Sequence, residues 1–230
     1  LFPFALLGFI INGFFALKIF FEFFSKILIN GKFESSKNNN FSSMISIFAL
    51  SMIAVGFAAP AAMSHNILVN SIAIFFAIFF SCLAILFMLI KLIIGFKNIL
   101  EHGISLETAP SIWIIIPILT LLGITFVRLS FGLEHNYSTP LNKSSLFIFS
   151  SGVLSIQIVF GILGYLVMNK MGYFKKYIES NEKSPISFSL ICPGVAFFVF
   201  GMFFINFGLA YNSIVSKYSI AYFICMFPFI

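Results

Sequence analysis

The residues of this chain that could do chemistry are few, and Cys192 has the most unusual surroundings. It directly precedes Pro193 and Gly194 inside an apolar run, where a proline leaves backbone carbonyl groups without their helical donor. A thiol beside such an opened backbone could take part in redox or chalcogen chemistry. Most buried cysteines, however, pack as inert small hydrophobes. Both interpretations stay open from the sequence, and packing is the simpler one.

Arg128 is the only arginine of the chain, and it closes an apolar run. A cation at a membrane edge attracts anions toward a pore mouth, or extends its guanidinium group to the lipid headgroups. Thr120, with Thr125 and Ser51, could offer hydroxyl donors to a passing anion. The same hydroxyl groups can instead bond back to the backbone of their own helix.

The three histidines, His65, His102 and His135, lie in or beside the polar connections between apolar runs. Haem held in a bilayer needs axial histidines inside the spans, so these positions disfavour a haem subunit. His65 and His135 could share a metal or gating site, although a tight turn and a solvated loop explain them more simply. Glycine-rich phosphate loops, zinc hydrolase motifs and serine hydrolase motifs are absent from the sequence. We therefore predict no catalytic residue, cofactor or metal site, and no enzyme.

The composition identifies the elements that must position these residues. Of 230 residues, 60% are hydrophobic and 9% are charged, whereas soluble proteins carry about 25% charged residues. The net charge of +6 could suggest a nucleic-acid partner, but the basic residues lie between apolar runs and fit orientation in a bilayer better. The composition predicts an all-α polytopic membrane protein whose surroundings are lipid and which binds no nucleic acid.

Seven apolar stretches predict a single transmembrane domain over residues 1–230: 1–24, 43–64, 67–90, 111–128, 145–168, 186–209 and 218–230. The last stretch is too short to cross a hydrocarbon core of about 30 Å, and the chain begins with Leu1. We therefore expect truncation at both ends. If the first stretch ends in the cytoplasm, ten lysines face that side. Arg128, Lys143 and Lys217 face the other, as the positive-inside rule requires.

The prolines indicate how these helices are arranged. Pro110 and Pro185 stand where helices would begin, whereas Pro60, Pro117 and Pro193 lie inside the second, fourth and sixth apolar stretches, where proline kinks a helix. Kinked helices are tolerated where they face protein or a water-filled cavity. The pattern therefore predicts a hairpin-repeat bundle in which proline-kinked inner helices surround a pore and straight, Phe-rich helices face lipid. Small residues in the sixth stretch recur every seven positions and predict close helix packing: Gly194, Gly201 and Gly208.

Four segments carry a resemblance to a known family: FALSMIAVGFAAPAAMSHN (48–66), KNILEHGI (97–104), APSIWIIIPILTLLGITFVRL (109–129) and CPGVAFFVFGMFFINFGL (192–209). They resemble the TsoY family, which is similar to the TehA-like tellurite-resistance and dicarboxylate transporters and, more distantly, to plant slow anion channels. The resemblance implies a C-terminal portion of a ten-helix protein built from five hairpins around a pore. It also implies a trimer in the bacterial inner membrane. A phenylalanine of the ninth helix plugs such pores, and by position that helix is the sixth stretch here, with Phe200 and Phe204 as candidates.

These observations favour a channel or carrier for a small anion, with Pro117, Pro193 and Thr120 on its path, Arg128 at a mouth and Cys192 at a kink. An alternative from another class is a membrane redox or enzyme-anchor subunit, for which Cys192 and the histidines would matter. A third is an assembly partner that transports nothing.

Overall fold

The computed structural model describes residues 2–30, 40–182 and 184–229, which are helical and contain no strand. Within these residues six helices are long and apolar enough to cross a membrane: Phe2–Ile29, Ser42–Met63, Ile67–His102, Ala109–Tyr137, Lys143–Lys170 and Pro185–Ala210. The prediction of an all-α, multi-pass membrane protein is therefore confirmed. The seventh apolar stretch forms a short helical segment, Ile220–Phe229. The polar tract at residues 31–39 and Lys183 lie outside the described residues.

The α-helical segments are α1 (Phe2–Asn30), α2 (Ile45–Met63), α3 (Ile67–His102), α4 (Ile115–Tyr137), α5 (Lys143–Lys170), α6 (Ile191–Phe203) and α7 (Ile220–Met226). Short 3-10 helices precede α2, α4 and α6. Two π-helical segments, Lys175–Glu179 and Phe204–Ala210, follow α5 and α6. The second of these extends α6 directly, without a break in the helix.

Side-chain caps explain where several of these helices begin. The Asn66 side chain accepts hydrogen bonds from the backbone N–H groups of Leu68 and Val69 at the start of α3. Asn142 accepts one from Ser145 at the start of α5. Such caps satisfy N–H groups that have no partner inside the helix. Because Asn66 caps α3 only three residues after α2 ends, the two helices are joined by a tight turn.

Helix α3 is longer than the sequence predicted. Its 36 residues run past the predicted end at residue 90 and include Lys91 and Lys97, because lysine is a good helix former and does not end a helix. Gly103, with a φ of 71°, ends it, as glycine commonly does after a helix. A 36-residue helix is about 54 Å long, whereas a bilayer with its headgroups is about 40–45 Å thick.

Helix α4 also continues beyond its predicted end at Arg128. It extends to Tyr137, and the chain leaves the helix at Ser138, whose φ is 52°. Nine further helical residues therefore follow Arg128. Arg128 consequently lies within a helix and not at its end, and the prediction that it closes the span is wrong.

The prolines have two different roles in the structure. Pro60 lies inside α2 as predicted. Pro117 and Pro193 are instead the third residues of α4 and α6, and each α-helix follows directly on a six-residue 3-10 helix that has Pro110 or Pro185 near its start. Pro117 and Pro193 therefore lie just after the junction of a 3-10 helix with an α-helix and not in the interior of α4 or α6. Proline is tolerated there because the first N–H groups of an α-helix need no helical partner.

Burial of the spans agrees with the predicted inner and outer helices only in part. The most apolar windows of the second and fourth spans are 50% and 67% buried, against 17%, 22% and 28% for the first, third and fifth. The sixth span, predicted to be inner, is only 28% buried. Phe75 on α3 is exposed, as expected for an outer helix, but Phe80 is buried and stacks on Phe57 of α2.

Packing divides the chain into two compact units. Unit 1 consists of the residues up to Ser105 together with Arg128–Thr139, and unit 2 consists of Leu106–Val127 together with the chain from Pro140 onward. The first half of α4 thus belongs to unit 2 and the second half to unit 1.

Candidate functional site

A chain of buried hydrogen bonds joins three helices of unit 2. The Gln157 amide nitrogen on α5 donates to the backbone oxygen of Ile116 at 3.1 Å and to the hydroxyl oxygen of Thr120 at 2.8 Å. Thr120 in turn donates to the backbone oxygen of Ala196 on α6 at 3.0 Å. Gln157 therefore bonds between α5 and α4. Thr120 also bonds between helices, whereas Thr125 and Ser51 bond back to their own helices.

The Gln157 side chain has one polar atom without a partner among the described residues. Its Oε1 is buried and accepts no hydrogen bond, while its nitrogen makes two. The orientation of the amide is fixed because the Ile116 carbonyl can only accept, so the nitrogen must face it. An unsatisfied buried carbonyl oxygen costs free energy, so a hydrogen-bond donor at Oε1 would stabilise this position.

A cavity of about 280 Å³ lies beside this hydrogen-bonded chain. Its walls come from the 3-10 helix before α4, from α5 and from the start of α6: Trp113, Ile116, Gln157, Ile158, Gly161, Ile162, Pro193, Gly194 and Phe197. The Trp113 indole N–H donates to the backbone oxygen of Gly161, so the surface that the cavity presents is apolar. Pro117 is buried near the start of α4 but does not line this cavity.

Cys192 faces outward. It is exposed, as is Cys82 on α3, so the expectation that Cys192 packs as a buried thiol is wrong. Cys192 is also absent from the walls of the cavity that the next residue, Pro193, lines. The structure therefore does not bring the thiol together with the predicted path.

Phe200 and Phe204 occupy different surroundings. Phe200 is fully buried and lies against Gly123 of α4, where an added Cβ would overlap with the phenyl ring. Phe204 is half-buried at the start of the π-helical segment, and its ring stacks on that of Phe147 with the centroids 6.2 Å apart. Phe200 therefore closes the space between α4 and α6.

The π-helical segment Phe204–Ala210 borders a second cavity of about 350 Å³. This cavity, called the basic pocket below, is lined by Met202, Phe203, Asn206, Phe207, Ala210, Tyr211 and Lys217. The Asn206 amide is held on both sides: its nitrogen donates to the Met202 carbonyl at 2.8 Å, and its oxygen accepts from the Tyr222 hydroxyl at 3.1 Å. Wide π-helical turns are frequent at functional sites.

Two lysines lie at or beside the basic pocket, whose walls are otherwise mostly apolar. Lys217 lines it, and the Lys143 ammonium group lies 4.6 Å from the centre of the Tyr211 ring, which also lines it. Both lysines are exposed. The sequence contains no acidic residue at 135–178 or at 183–230, and the ion pairs found among the described residues involve neither lysine. Two cations at a cavity raise the local concentration of anions.

Comparison of the chain with protein-family models, with curated proteins and with solved structures finds no match. The function proposed for the chain is therefore argued from the geometry of the two cavities and from the charges around them.

In unit 1 the outer part of α2 receives hydrogen bonds from α3 and α4. Arg128 Nη1 donates to the Val55 carbonyl at 3.2 Å, and the Asn70 amide donates to the Ala61 carbonyl. The guanidinium group of Arg128 is thus hydrogen-bonded to α2. The Asn70 amide meets a carbonyl of the last turn of α2, where a donor complements the negative end of the helix dipole.

The structure brings two of the three histidines together. The rings of His65 and His135 lie with their centres 6.1 Å apart, whereas His102 ends α3. This pair can be named from the sequence, but its proximity cannot. The basic pocket is not evident from the sequence, where Lys143 and Lys217 indicate only orientation in the bilayer. The available signal was the absence of acidic residues at 135–178 and 183–230.

Proposed function

We propose that this chain is part of a membrane transport protein, a channel or a carrier, that moves a small anion. The observation that carries the proposal is the basic pocket, in which Lys217, Asn206 and Tyr211 surround about 350 Å³ beside a π-helical turn. Lys143 and Lys217, which form none of the ion pairs found in the described part of the chain, attract anions. The positive-inside rule assigns this end of unit 2 to the external side, so the pocket would receive anions from outside.

In this proposal the pocket selects its ligand by charge and by hydrogen bonding. The Lys217 ammonium group supplies the charge. The Asn206 side chain is already held by Met202 and Tyr222, so its position is fixed before an anion arrives. A rigid polar group binds a ligand at a lower cost in conformational entropy than a mobile one. The volume suits an inorganic or small carboxylate anion with some of its water.

Phe200 would act as the plug of the path. It precedes the π-helical segment by one turn and fills the space against Gly123. A hydrophobic constriction controls flux by excluding water and ions until the ring moves. The resemblance to TehA-like transporters supports this arrangement, and it also supports assembly as a trimer in the bacterial inner membrane.

The test of the proposal is anion flux through the purified chain reconstituted in liposomes, with chloride, nitrate, sulfite and chalcogen oxyanions offered in turn. We expect flux of at least one anion above that of empty liposomes and no comparable flux of potassium or sodium. Anion flux equal to that of empty liposomes would contradict the proposal. A visible absorption spectrum of the same preparation tests the alternative, because a redox subunit with bound haem would absorb.

A further inference from the structure

We propose that His65 and His135 form a binding site for a divalent transition-metal ion at one end of unit 1. Their ring centres lie 6.1 Å apart and the ring planes differ by 41°. Zinc–nitrogen bonds of about 2.0–2.1 Å place the centres of two ligating imidazole rings about 5–6 Å apart. A small movement of one exposed ring therefore brings both nitrogen atoms into bonding range. This proposal departs from the prediction of no metal site.

His135 is oriented by a hydrogen bond that leaves its outer nitrogen available. Its Nδ1 lies 3.2 Å from the backbone oxygen of Ala62. Because a carbonyl oxygen can only accept, Nδ1 carries the proton and Nε2 of the neutral ring carries the lone pair. Histidine ligands of metals commonly donate their other N–H to a backbone carbonyl, which fixes the tautomer and the ring orientation.

His65 lies in the turn between α2 and α3, and a hydrogen bond from α4 holds this turn in place. The Asn136 amide, next to His135, donates to the Ser64 carbonyl at 2.9 Å, and the Ser64 hydroxyl oxygen accepts from the Asn66 N–H at 3.2 Å. The turn between α2 and α3 is thereby tied to the same end of α4 that bears His135. The two imidazole rings are therefore kept near each other by hydrogen bonds that do not join one ring to the other.

The ligand set determines the class of metal. Imidazole nitrogen suits zinc, copper and nickel, whereas calcium and magnesium prefer oxygen. Among the described residues no group of three His, Cys, Asp or Glu side chains could hold a metal ion, so two imidazoles and water would complete the coordination. Both rings are exposed, which gives the ion direct access. A bound ion would link the turn before α3 to the end of α4.

The experiment is isothermal titration of the purified full chain in detergent with zinc chloride, repeated with magnesium chloride. We expect one zinc ion per chain and no magnesium binding. His65→Ala, which alters an exposed turn residue, and His135→Ala should each weaken zinc binding by about tenfold or more. His102→Ala is the matched control, since it removes a histidine at the far end of α3 and should leave zinc binding unchanged. The emission of Trp113, the only tryptophan, reports whether each variant is folded.

Zinc binding that is absent from the folded wild-type chain would overturn the proposal. So would zinc binding that His65→Ala leaves unchanged, or that His102→Ala weakens as much as His65→Ala does. None of these outcomes bears on anion flux, so the metal site and the proposed transport function stand or fall separately.

Discussion

The phenyl ring of Phe200 lies so close to Gly123 that a Cβ at the glycine would overlap with the ring. Phe200 comes from α6 and is fully buried, and Gly123 comes from the part of α4 that belongs to unit 2. The contact needs both a large ring on one helix and no side chain on the other. The two positions should therefore depend on each other in stability as well as in flux.

Gly123→Ala should destabilise unit 2 by about 1–3 kcal/mol, because an overpacked interface forces the ring or the helix to move. Phe200→Ala should cost about 3–5 kcal/mol through the cavity that it leaves. In the double variant the new methyl group has room, so the two costs should fall short of additivity by about 0.5–3 kcal/mol. Unfolding of the four proteins in detergent measures this coupling, and strictly additive costs would contradict the contact.

Removing the plug should increase transport. Phe200→Ala should raise anion flux in liposomes, and Phe204→Ala should raise it less, because Phe204 is only half-buried. Phe188→Ala is the matched control: this phenylalanine is 75% exposed on the same span and should not change the flux. If neither Phe200→Ala nor Phe204→Ala increases flux, the plug assignment is wrong.

The hydrogen bonds of Gln157 should contribute measurably to stability. Gln157→Leu removes its bonds to the Ile116 carbonyl and to Thr120, and each bond inside a membrane protein contributes about 0.6 kcal/mol. We expect a loss of about 1 kcal/mol in the free energy of unfolding. Ser155→Ala on the same helix removes an exposed hydroxyl that bonds only to its own helix and should cost little. Equal costs for the two variants would show that the interhelical bonds add no stability.

Cys192→Ser should leave anion flux unchanged and alter stability by less than about 0.5 kcal/mol. The reason is that the thiol is exposed on the outside of its span and lines neither cavity. Flux and thermal unfolding of the variant measure both effects. A large loss of flux would instead assign the thiol a part in transport, as the redox or chalcogen interpretation of the sequence requires.

Much of the helical architecture could be predicted from the sequence, because the physical signals for it are local. Long apolar runs predict a membrane protein, and Pro110 and Pro185 predict where two helices begin. Helix ends were predicted less well. Hydropathy predicts span limits at residue 90 and at Arg128, yet both helices continue past these residues. A charged residue does not break a helix, and α3 and α4 end only before Gly103 and Ser138, which have positive φ angles.

The candidate site was less predictable, because it depends on which side chains meet across helices. Thr120 could be singled out from the sequence, but its bond with Gln157 links residues 37 positions apart. The seven-residue glycine pattern assumed one continuous α-helix, whereas the helix becomes π-helical from Phe204 onward. Gly201 consequently lies against Phe229, whereas Gly208 lies against Phe204 and Ser150. Gly194 has open space beside it.

The role of the basic pocket is tested by two variants that reverse the same charge at different positions. Lys217→Glu reverses a charge that lines the pocket. Lys175→Glu makes the same change at an exposed position beyond the opposite end of α5. Lys176 is less suitable as a control, because Tyr177 and the Glu182 carboxylate, 3.5 Å away, raise the pKa of its ammonium group.

The most direct measurement of the central claim is the concentration dependence of anion flux in liposomes for the wild type, Lys217→Glu and Lys175→Glu. Loss of the attracting charge should raise the half-saturating anion concentration of Lys217→Glu by about tenfold, with the change shrinking as salt is increased. Lys175→Glu should match the wild type. Anion flux with the same half-saturating concentration in all three proteins would contradict the claim that anions pass through the basic pocket.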